Sequence, residues 1–397
     1  MELADFILAH DGDDLGQLAL ARERYAREVE DFDLALTTLE VRRKLRDKVP
    51  EWYAVPALCY PLRLSGEQCS SSATARYKAR VALSACGAAN RLADLTGGLG
   101  VDSWAFAQVF GQVLYNEMRP ELASAASANF RKLGADNISV RNRELRPGQV
   151  ADVLAGFNPD IIFLDPARRS EDGRKVFRLE DCQPAVLQLL PELLSACPLL
   201  LMKLSPMADI SLVCRQLSCV REVHVVAAEG ECKELLLLLE RGYVGPWTTF
   251  VVEDDAVMAL NPVDQVQGLI GPGIYTGKIL FEPGKALLKA GAFELPCHYG
   301  LEKLGRHTHL YVGESVPEEL KPFGKVFRIL EMLPLNKASF KEIGKRYPQA
   351  EVTARNIPLT SEALKAKLKV RSGGGVHIFG LHIDALDGND LLVCQNS

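Results

Sequence analysis

The feature that most constrains the fold is an alternation of short apolar strands and helical stretches that begins near Arg91. Seven strand candidates follow one another along the chain: RLADL (91–95), QVLYNE (112–117), NISVRN (137–142), DIIFLD (160–165), PLLLMKL (198–204), VREVHVVAA (220–228) and KELLLLLE (233–240). Helical segments separate the first five, which predicts parallel strands joined by helical crossovers. Only EGEC separates the last two, which is too short for a crossover and predicts an antiparallel hairpin at the sheet edge.

The pattern changes on both sides of this segment, which predicts four domains. Residues 1–63 place apolar residues at intervals of three and four among many charges, as expected of a helical N-terminal extension. The α/β domain is predicted to span 64–245. Residues 250–320 have the pattern of a small α+β unit, and 321–397 that of a second one with the order βαβαββ. The predicted fold class is therefore α/β, with a Rossmann-like sheet and small α+β units after it.

Composition excludes several classes of protein. The 397 residues carry a net charge of −5, so a basic surface must be sought in single segments. The ten cysteines include no C-x-x-C pair, and we expect neither a metal site nor a disulfide framework. The most apolar window is broken by Pro191, Glu192 and Pro198, and the N-terminal segment lacks a basic signal region. We therefore predict a cytoplasmic protein without a membrane span.

The segment LADLTGGLGVDS places an acid and three glycines directly after the first strand. Asp94 ends that strand, and Gly97, Gly98 and Gly100 allow the backbone to turn tightly and to approach a ligand. The N-terminus of the following helix offers free N–H groups. The next strand ends in Glu117, where a carboxylate can accept hydrogen bonds from a ribose diol. Many strand-to-helix turns use glycines, but the whole combination predicts a nucleotide-type cofactor.

Two classes of cofactor are bound by such a loop. A dinucleotide fingerprint has a third glycine where this chain has Ser103, so that pattern is incomplete. We expect Asp102 or Ser103 to cap a helix that begins near Trp104. Asp94, four residues before Gly98, resembles the first motif of class I methyltransferases dependent on S-adenosyl-L-methionine (SAM). That resemblance implies that the loop lies under the methionine part of SAM and that the later acid holds its ribose.

The fourth strand candidate ends in DPAR, where the chain changes abruptly from apolar to charged. If the first and fourth strands are neighbours, their carboxyl ends lie at the switch point of a doubly wound sheet, where ligands bind. Asp165 and Pro166 resemble the start of the [N/D]-P-P-[Y/F/W] motif of class I enzymes that methylate base nitrogens, in which the acid or amide accepts from the amine. Ala167 and Arg168 replace the second proline and the aromatic platform. We predict Asp165, Pro166 and Arg168 as catalytic; alternatively, Asp165 caps a turn and the arginines are solvated.

Arg168 has a second possible role, and two further segments place charges near the predicted site. As a planar cation, Arg168 could hold a phosphate or stack on a base. Lys203, in the fifth strand candidate, could anchor a substrate phosphate or pair with an acid. The helix candidate SSSATARYKAR could close the cofactor pocket or simply pack on the sheet; its charged or aromatic residues are Arg76, Tyr77, Lys78 and Arg80.

Basic residues are concentrated near the C-terminal end. From Lys321 to Arg371 the chain has twelve Lys or Arg residues against four Glu, although the whole chain is acidic. Such segregation favours a module that docks a polyanion, with Lys365, Lys367, Lys369 and Arg371 as substrate-binding candidates. The alternative is a solvated face of the helix predicted to carry the three lysines.

A resemblance to a known family rests on six segments: EQCSSSATARYKAR, LADLTGGLGVDS, FLDPARR, MKLSPMADI, CKELL and RSGGGVHIFG. They resemble a bacterial family of SAM-dependent methyltransferases that joins a class I domain to a ferredoxin-like unit, here 250–320, and a THUMP-like domain, here 321–397. The class I pattern implies SAM as cofactor, with Asn142 or Glu144 near its adenine. THUMP domains elsewhere bind RNA, so the resemblance implies methylation of a base nitrogen in RNA (tRNA or rRNA). The alternatives are a non-catalytic RNA-binding protein and an enzyme that methylates a protein or a metabolite.

Overall fold

The computed structural model describes four stretches of the chain, residues 1–87, 90–168, 178–260 and 275–396. The chain forms two compact units, of which the first comprises Met1–Val223 with Glu234–Trp247 and the second His224–Lys233 with Thr248–Ser397. The predicted fold class, α/β with a Rossmann-like sheet and small C-terminal α+β units, is confirmed. The four predicted domain boundaries stay a prediction.

The first unit begins with helices, as their periodicity predicts. Asp31 and Ser71 cap the two longest of them and accept from the N–H groups of Leu34 (3.0 Å) and Thr74 (3.2 Å). Gly87, with φ of 71°, ends the second. The helices of this unit are α1 Leu3–His10, α2 Leu15–Leu20, α3 Arg22–Tyr25, α4 Phe32–Lys48, α5 Pro50–Tyr53, α6 Arg63–Gln68, α7 Ser72–Cys86, α8 Val101–Ala107, α9 Pro120–Lys132, α10 Val150–Leu154, α11 Val186–Ala196 and α12 Ile210–Leu217.

The sheet of the first unit has the predicted parallel arrangement. Its strands are β1 Arg91–Asp94, β2 Gln112–Asn116, β3 Ile138–Arg141, β4 Ile161–Leu164, β7 Leu199–Leu204 and β9 Glu231–Glu240, the last of which crosses into the second unit. The order is β9-β7-β4-β1-β2-β3, with only β9 antiparallel to its neighbour. Strand β1 pairs with β2 on one side and with β4 on the other, so the strand order reverses at β1. The carboxyl ends of β1 and β4 therefore lie side by side.

Two short connections shape the unit further. The strand β8 Val220–Ala228 lies beside β9, and the two are joined by Glu229 and Gly230, with φ of 54° and 75°. Two consecutive residues with positive φ give the tight turn that the short EGEC segment requires, so the predicted hairpin is confirmed. Its predicted place at the sheet edge is wrong, because two further strands, 248–253 and 256–260, continue the sheet beyond β8. The two-residue strands β5 Ala167–Arg168 and β6 Cys182–Gln183 pair antiparallel after the DPAR turn.

The second unit is built mainly on one seven-stranded sheet. Its strands and helices are β10 Thr248–Glu253, β11 Ala256–Leu260, β12 Ile279–Pro283, α13 Lys285–Lys289, α14 Leu295–His298, β13 Glu302–Lys303, β14 Tyr311–Gly313, β15 Gly324–Pro334, α15 Lys337–Arg346, β16 Glu351–Arg355, α16 Ser361–Leu368, β17 Val376–Ile383 and β18 Gly388–Asn396. The predicted order βαβαββ after residue 321 is confirmed. The seven-stranded sheet consists of β12 to β18, whereas β10 and β11 belong to the sheet that contains β8 and β9. The two small units predicted at 250–320 and 321–397 therefore share a sheet, because β12 pairs with β15 over five residues.

The described residues contain neither a membrane-spanning helix nor a cluster of metal ligands. No helix in the four described stretches has the length and apolar composition needed to cross a bilayer. Nor do these residues bring together three or more His, Cys, Asp or Glu side chains in a group able to hold a metal ion.

Candidate functional site

A cavity of about 540 Å³ lies at the carboxyl ends of β1, β2, β4 and β7 in the first unit. The glycine loop after β1 forms one side, and Glu117 after β2 forms the next. Asp165 after β4 and Lys203 on β7 complete the wall. The structure therefore brings the acids and glycines of three separate motifs around one space, at the switch point where open α/β sheets bind ligands.

The backbone of the glycine loop is held in conformations that glycine favours. Gly98 and Gly100 have φ of 53° and 96°. A Cβ on Gly97 would lie 2.2 Å from the ring of Tyr115, so that position has no room for a side chain. A Cβ on Gly98 would meet no atom closer than 3.9 Å. The loop is thus packed tightly against the sheet at Gly97 and open towards the cavity at Gly98.

The helix after the loop begins earlier than the sequence suggests. We expected a start near Trp104 with Asp102 or Ser103 as cap, but α8 starts at Val101 and Gly100 occupies the cap position without a side-chain bond. The side chains of Asp102 and Ser103 do not cap α8, because each is hydrogen-bonded to another side chain. Ser103 donates to Asp94, and Asp102 accepts from Ser70.

Asp94 stabilises the loop and is absent from the cavity lining. The side chain is buried; its Oδ1 accepts from the N–H of Thr96 (3.1 Å) and its Oδ2 from the hydroxyl of Ser103 (2.6 Å). Burial raises the pKa of Asp94 to about 8, although both hydrogen bonds act in the opposite direction. The predicted cofactor-binding acid therefore fixes the end of β1 to the start of α8.

Glu117 lies in the cavity wall and connects the first two strands. Its Oε2 accepts from the N–H of Gly98 and its Oε1 from the N–H of Arg119, both at 2.9 Å. Each carboxylate oxygen can accept a second hydrogen bond, so Glu117 can still receive two hydroxyl groups from a ligand. The side chain is only 8% exposed, which protects these bonds from water.

The two residues predicted near an adenine take different positions. Glu144 lines the cavity and pairs with Arg146, whereas Asn142 does not line it and donates to the carbonyl oxygens of Glu117 (2.7 Å) and Met118 (3.0 Å). Asn142 therefore shapes the backbone after β2. Another residue of this wall, which the motifs did not predict, is Leu145.

The DPAR turn and β7 form the part of the cavity wall that holds Asp165 and Lys203. We term this part the acceptor end, because the sequence predicts that Asp165 faces the methyl acceptor. The N–H of Asp165 donates to Oγ1 of Thr96 (2.6 Å), which joins the turn to the glycine loop. Oδ2 of Asp165 lies 2.6 Å from Nζ of Lys203, so Lys203 pairs with an acid, one of its two predicted roles. Pro166 is buried and does not line the cavity, and the side chain of Arg168 lies outside the part of the chain that the structure describes.

A second wall next to Asp165 comes from residues that the motifs did not predict. Pairing of β5 with β6 places Ala167 opposite Gln183, and Gln183 and Pro184 line the cavity beside Asp165. The segment LEDCQPAV contains no pattern that indicates such a role. Its position follows from the backbone pairing alone.

Three charged residues form a group that we term the buried ion network: Lys78, Asp102 and Glu234, of which Asp102 also lines the cavity. Nζ of Lys78 lies 3.0 Å from both carboxylate oxygens of Glu234 and 3.1 Å from Oδ1 of Asp102, and the lysine is fully buried. Ser70 accepts from Lys78 and donates to Asp102, each at 2.8 Å. The network fastens α7 to β9 and α8, and so positions the segment 68–70 at the cavity.

The predicted docking residues lie in the second unit. Lys365 and Lys367 are in the last turn of α16, but Lys369 follows the helix with φ of 57°, so the helix does not carry all three lysines. Lys365 donates to the hydroxyl of Ser372. Lys367, Lys369 and Arg371 have exposed side chains.

Known proteins resemble this chain in sequence and in structure. A family model for a ferredoxin-like domain matches residues 280–320, and a model described as THUMP domain-like matches 324–395. Two proteins of Mycobacterium tuberculosis, from strains CDC 1551 / Oshkosh and ATCC 25618 / H37Rv, are named uncharacterized SAM-dependent methyltransferases. Each is 23% identical to this chain over 318 residues, which cover 77% of this chain and 79% of the relative.

A solved structure extends the similarity over the whole chain. It is a protein of Porphyromonas gingivalis W83, provisionally named a methyltransferase, with 29% identity and a TM-score of 0.84 over 100% of this chain and 97% of the other. These matches confirm the family resemblance that the six sequence segments carry.

Proposed function

We propose that this chain, a SAM-dependent methyltransferase like its named relatives, methylates RNA. SAM supplies a methyl group on a sulfonium, which is a good leaving group, so the protein contributes mainly position and exclusion of water. The observation that carries the proposal is the cavity shared by the glycine loop, Glu117 and Asp165. Its volume of about 540 Å³ lies within the range of small-molecule sites.

The residues of the loop side fit SAM. Gly98 leaves open space where any other residue would place a Cβ, so a ligand can approach its backbone. Glu117 keeps two acceptor positions that suit the two ribose hydroxyls. Asp94, Thr96 and Ser103 hold the loop in this shape through their mutual hydrogen bonds. Glu144 and Leu145 would lie beside the adenine at the far wall.

Glu117→Ala should weaken the binding of SAM by about 1–3 kcal/mol, the usual effect of removing a buried hydrogen-bonding partner. The N–H groups of Gly98 and Arg119 would also lose their acceptor. Isothermal calorimetry with SAM and with its demethylated product measures the change. Glu121→Ala, an exposed acid in the first turn of α9, is the matched control and should bind like the unaltered protein. Unchanged affinity in folded Glu117→Ala would assign the ribose contact to another residue.

Two observations on the second unit favour RNA as the substrate class. Residues 324–395 match a THUMP domain-like model, and the same segment holds the basic cluster of the chain. Lys367, Lys369 and Arg371 expose their charged groups, which suits contacts with phosphates. A cytoplasmic location, also predicted from the sequence, would place the protein among cellular RNA.

Within RNA, the DPAR motif favours a base nitrogen as acceptor. Oδ1 of Asp165 is the oxygen that does not contact Lys203, and it could accept from an amine N–H. Thr96 fixes the backbone of Asp165 and so the direction of its side chain. Arg168, in the position of the motif's aromatic residue, would then hold the substrate by charge or by stacking on the base.

Labelled SAM tests the substrate class. The protein is incubated with SAM labelled in its methyl group and, separately, with RNA, DNA, protein and metabolites from cells that lack it. We expect label in the RNA fraction alone. Label in protein or metabolites would reject RNA as the substrate, and RNA binding without label in any fraction would favour the non-catalytic alternative.

Charge reversal of the exposed cluster tests the docking role. The triple variant Lys367→Glu, Lys369→Glu and Arg371→Glu should bind RNA more weakly, and its log–log salt dependence should be shallower by about 0.7 for each phosphate that it no longer neutralises. Fluorescence anisotropy across a salt series measures both effects. As matched control, three exposed arginines of the N-terminal helices are reversed to Glu: Arg22, Arg24 and Arg27. Equal RNA affinity in the two triple variants would leave the cluster as a solvated surface.

A further inference from the structure

The acceptor end of the cavity contains a cation that the DPAR motif does not include. Nζ of Lys203 lies 2.6 Å from Oδ2 of Asp165, and both side chains line the cavity. Lys203 is 15% exposed and Asp165 33% exposed, so the pair is accessible from the cavity but largely shielded from bulk water. Any acceptor that contacts Asp165 there is therefore close to an ammonium group.

Lys203 carries its positive charge at neutral pH. Burial by itself lowers the pKa of Lys203, but attraction to the carboxylates of Asp165, Glu234 and Asp102 outweighs it, so the pKa is raised. Glu234 and Asp102 belong to the buried ion network, where Lys78 contacts both. The network thus does more than fasten α7, because its two acids also stabilise the ammonium of Lys203.

An ammonium group at this place distinguishes nitrogen acceptors from oxygen acceptors. A neutral amine that attacks a sulfonium gains positive charge in the transition state, and a neighbouring ammonium opposes that change. A hydroxyl instead loses its proton, and its oxygen gains negative charge that the ammonium stabilises. A carboxylate such as Asp165 alone could serve an amine or a hydroxyl acceptor. A carboxylate next to a charged lysine favours the hydroxyl.

The cavity lining favours the same choice. Among the residues that the structure describes, none that lines the cavity is aromatic. An amine on a base is usually presented by stacking the base on an aromatic side chain, and the second proline and aromatic residue of the base-nitrogen motif are Ala167 and Arg168 here. A hydroxyl on the sugar can be presented without stacking, through contacts to the backbone of the RNA.

We infer that the site transfers the methyl group to a ribose 2′-hydroxyl of RNA, in place of the base nitrogen that the DPAR motif predicts. The inference rests on the proposed function for its RNA substrate. Asp165 is the proton acceptor and Lys203 stabilises the oxygen, so both are catalytic residues. Glu234 and Asp102, which Lys78 contacts, act as positioning residues for Lys203.

The proposed step balances in atoms and charge. The hydroxyl oxygen forms a bond to the methyl carbon while the carbon–sulfur bond of SAM breaks, and both electrons of that bond stay on sulfur. The hydroxyl proton passes to the carboxylate of Asp165, which later releases it to water. Lys203 keeps its three protons throughout and contributes only its charge and a hydrogen bond.

Alkaline hydrolysis of the labelled RNA identifies the acceptor. Alkali cleaves RNA through attack by the 2′-hydroxyl on the neighbouring phosphate, so a 2′-O-methyl group blocks cleavage at its own nucleotide. RNA labelled by the protein from methyl-labelled SAM should therefore release its label in alkali-stable dinucleotides. Label in mononucleotides would overturn the inference and leave RNA methylation intact. Absence of label from RNA, with label in another fraction or in none, would overturn the inference and the proposed function together.

Substitution of Lys203 tests its role with the same RNA. Lys203→Met should lower the rate of transfer by about 10²-fold, as removal of a group that stabilises developing negative charge does. Lys203→Arg, which keeps the charge, should retain more of the rate. Calorimetry should find the affinity for the demethylated product of SAM little changed in both. The matched control is Lys233→Met, a lysine of the neighbouring strand β9 that pairs with Glu231 and Glu229, and it should behave like the unaltered protein. An unaltered rate in Lys203→Met would overturn the inference.

Discussion

Asp165→Asn should lower the rate of methyl transfer by about 10²–10⁴-fold, the range expected for loss of a positioned acid–base group. Asparagine keeps the shape of the side chain, and its oxygen can still contact Lys203, but it cannot take the proton that the acceptor releases. Affinity for SAM should change little because the groups that suit SAM lie at Gly98 and Glu117. Initial rates with labelled SAM and RNA, together with calorimetry, separate the two effects.

Asp160→Asn is the matched control because Asp160 precedes the same strand at its other end. Oδ2 of Asp160 accepts from the N–H groups of Asn90 (3.3 Å) and Arg91 (2.9 Å), far from the cavity lining. We expect this variant to keep its transfer rate. If Asp165→Asn also turned over like the unaltered protein, Asp165 would be rejected as the proton acceptor of a hydroxyl, because an asparagine oxygen can only accept a hydrogen bond.

The parallel sheet could be predicted because its determinants are local. The strand β4 is buried at all four positions, so its sequence is a continuous apolar run, and the turn at Glu229 and Gly230 is short enough to specify a hairpin. The shared sheet of the second unit could not be predicted in this way. The pairing of Ile279 with Arg328 joins residues far apart in the chain, and neither strand's own pattern specifies its neighbour.

The candidate site shows the same division between local and distant information. The glycine-loop motif predicts the acid Asp94 but not the direction of its side chain. Asp94 is buried and accepts from Ser103, so it faces the loop and not the cavity. Lys78 and Glu234 are separated by 156 residues, so no spacing rule connects them. One signal was present: Glu234 stands before five leucines in a buried strand, and a buried acid requires a partner. The identity of that partner follows only from the packing of α7 against the sheet.

Lys78→Met should destabilise the fold by about 3–5 kcal/mol, as expected when one partner of a buried ion pair is removed. Glu234 would be left without the ammonium that contacts both its oxygens, and Asp102 would be without the ammonium now 3.1 Å away. Urea unfolding followed by circular dichroism measures the change. In the double variant with Glu234→Gln the uncompensated charge of Glu234 is gone and only that of Asp102 remains, so much of the lost stability should return. Equal stability of Lys78→Met and the unaltered protein would contradict a structural role for the buried ion network.

The pH dependence of this loss identifies the carboxylate that causes it. Burial raises the pKa of Glu234 in the folded protein, while Lys78 lowers it. A raised folded-state pKa means that the folded state binds the proton more tightly, so stability falls as the pH rises from the ordinary glutamate range towards the folded value. Removal of Lys78 raises the pKa of Glu234 further, so this fall should continue to higher pH. Lys78→Met should therefore lose more stability, relative to the unaltered protein, at about pH 8 than at about pH 5. The double variant lacks the carboxylate and should not show the added dependence; if it did, Glu234 would be rejected as the group that causes it.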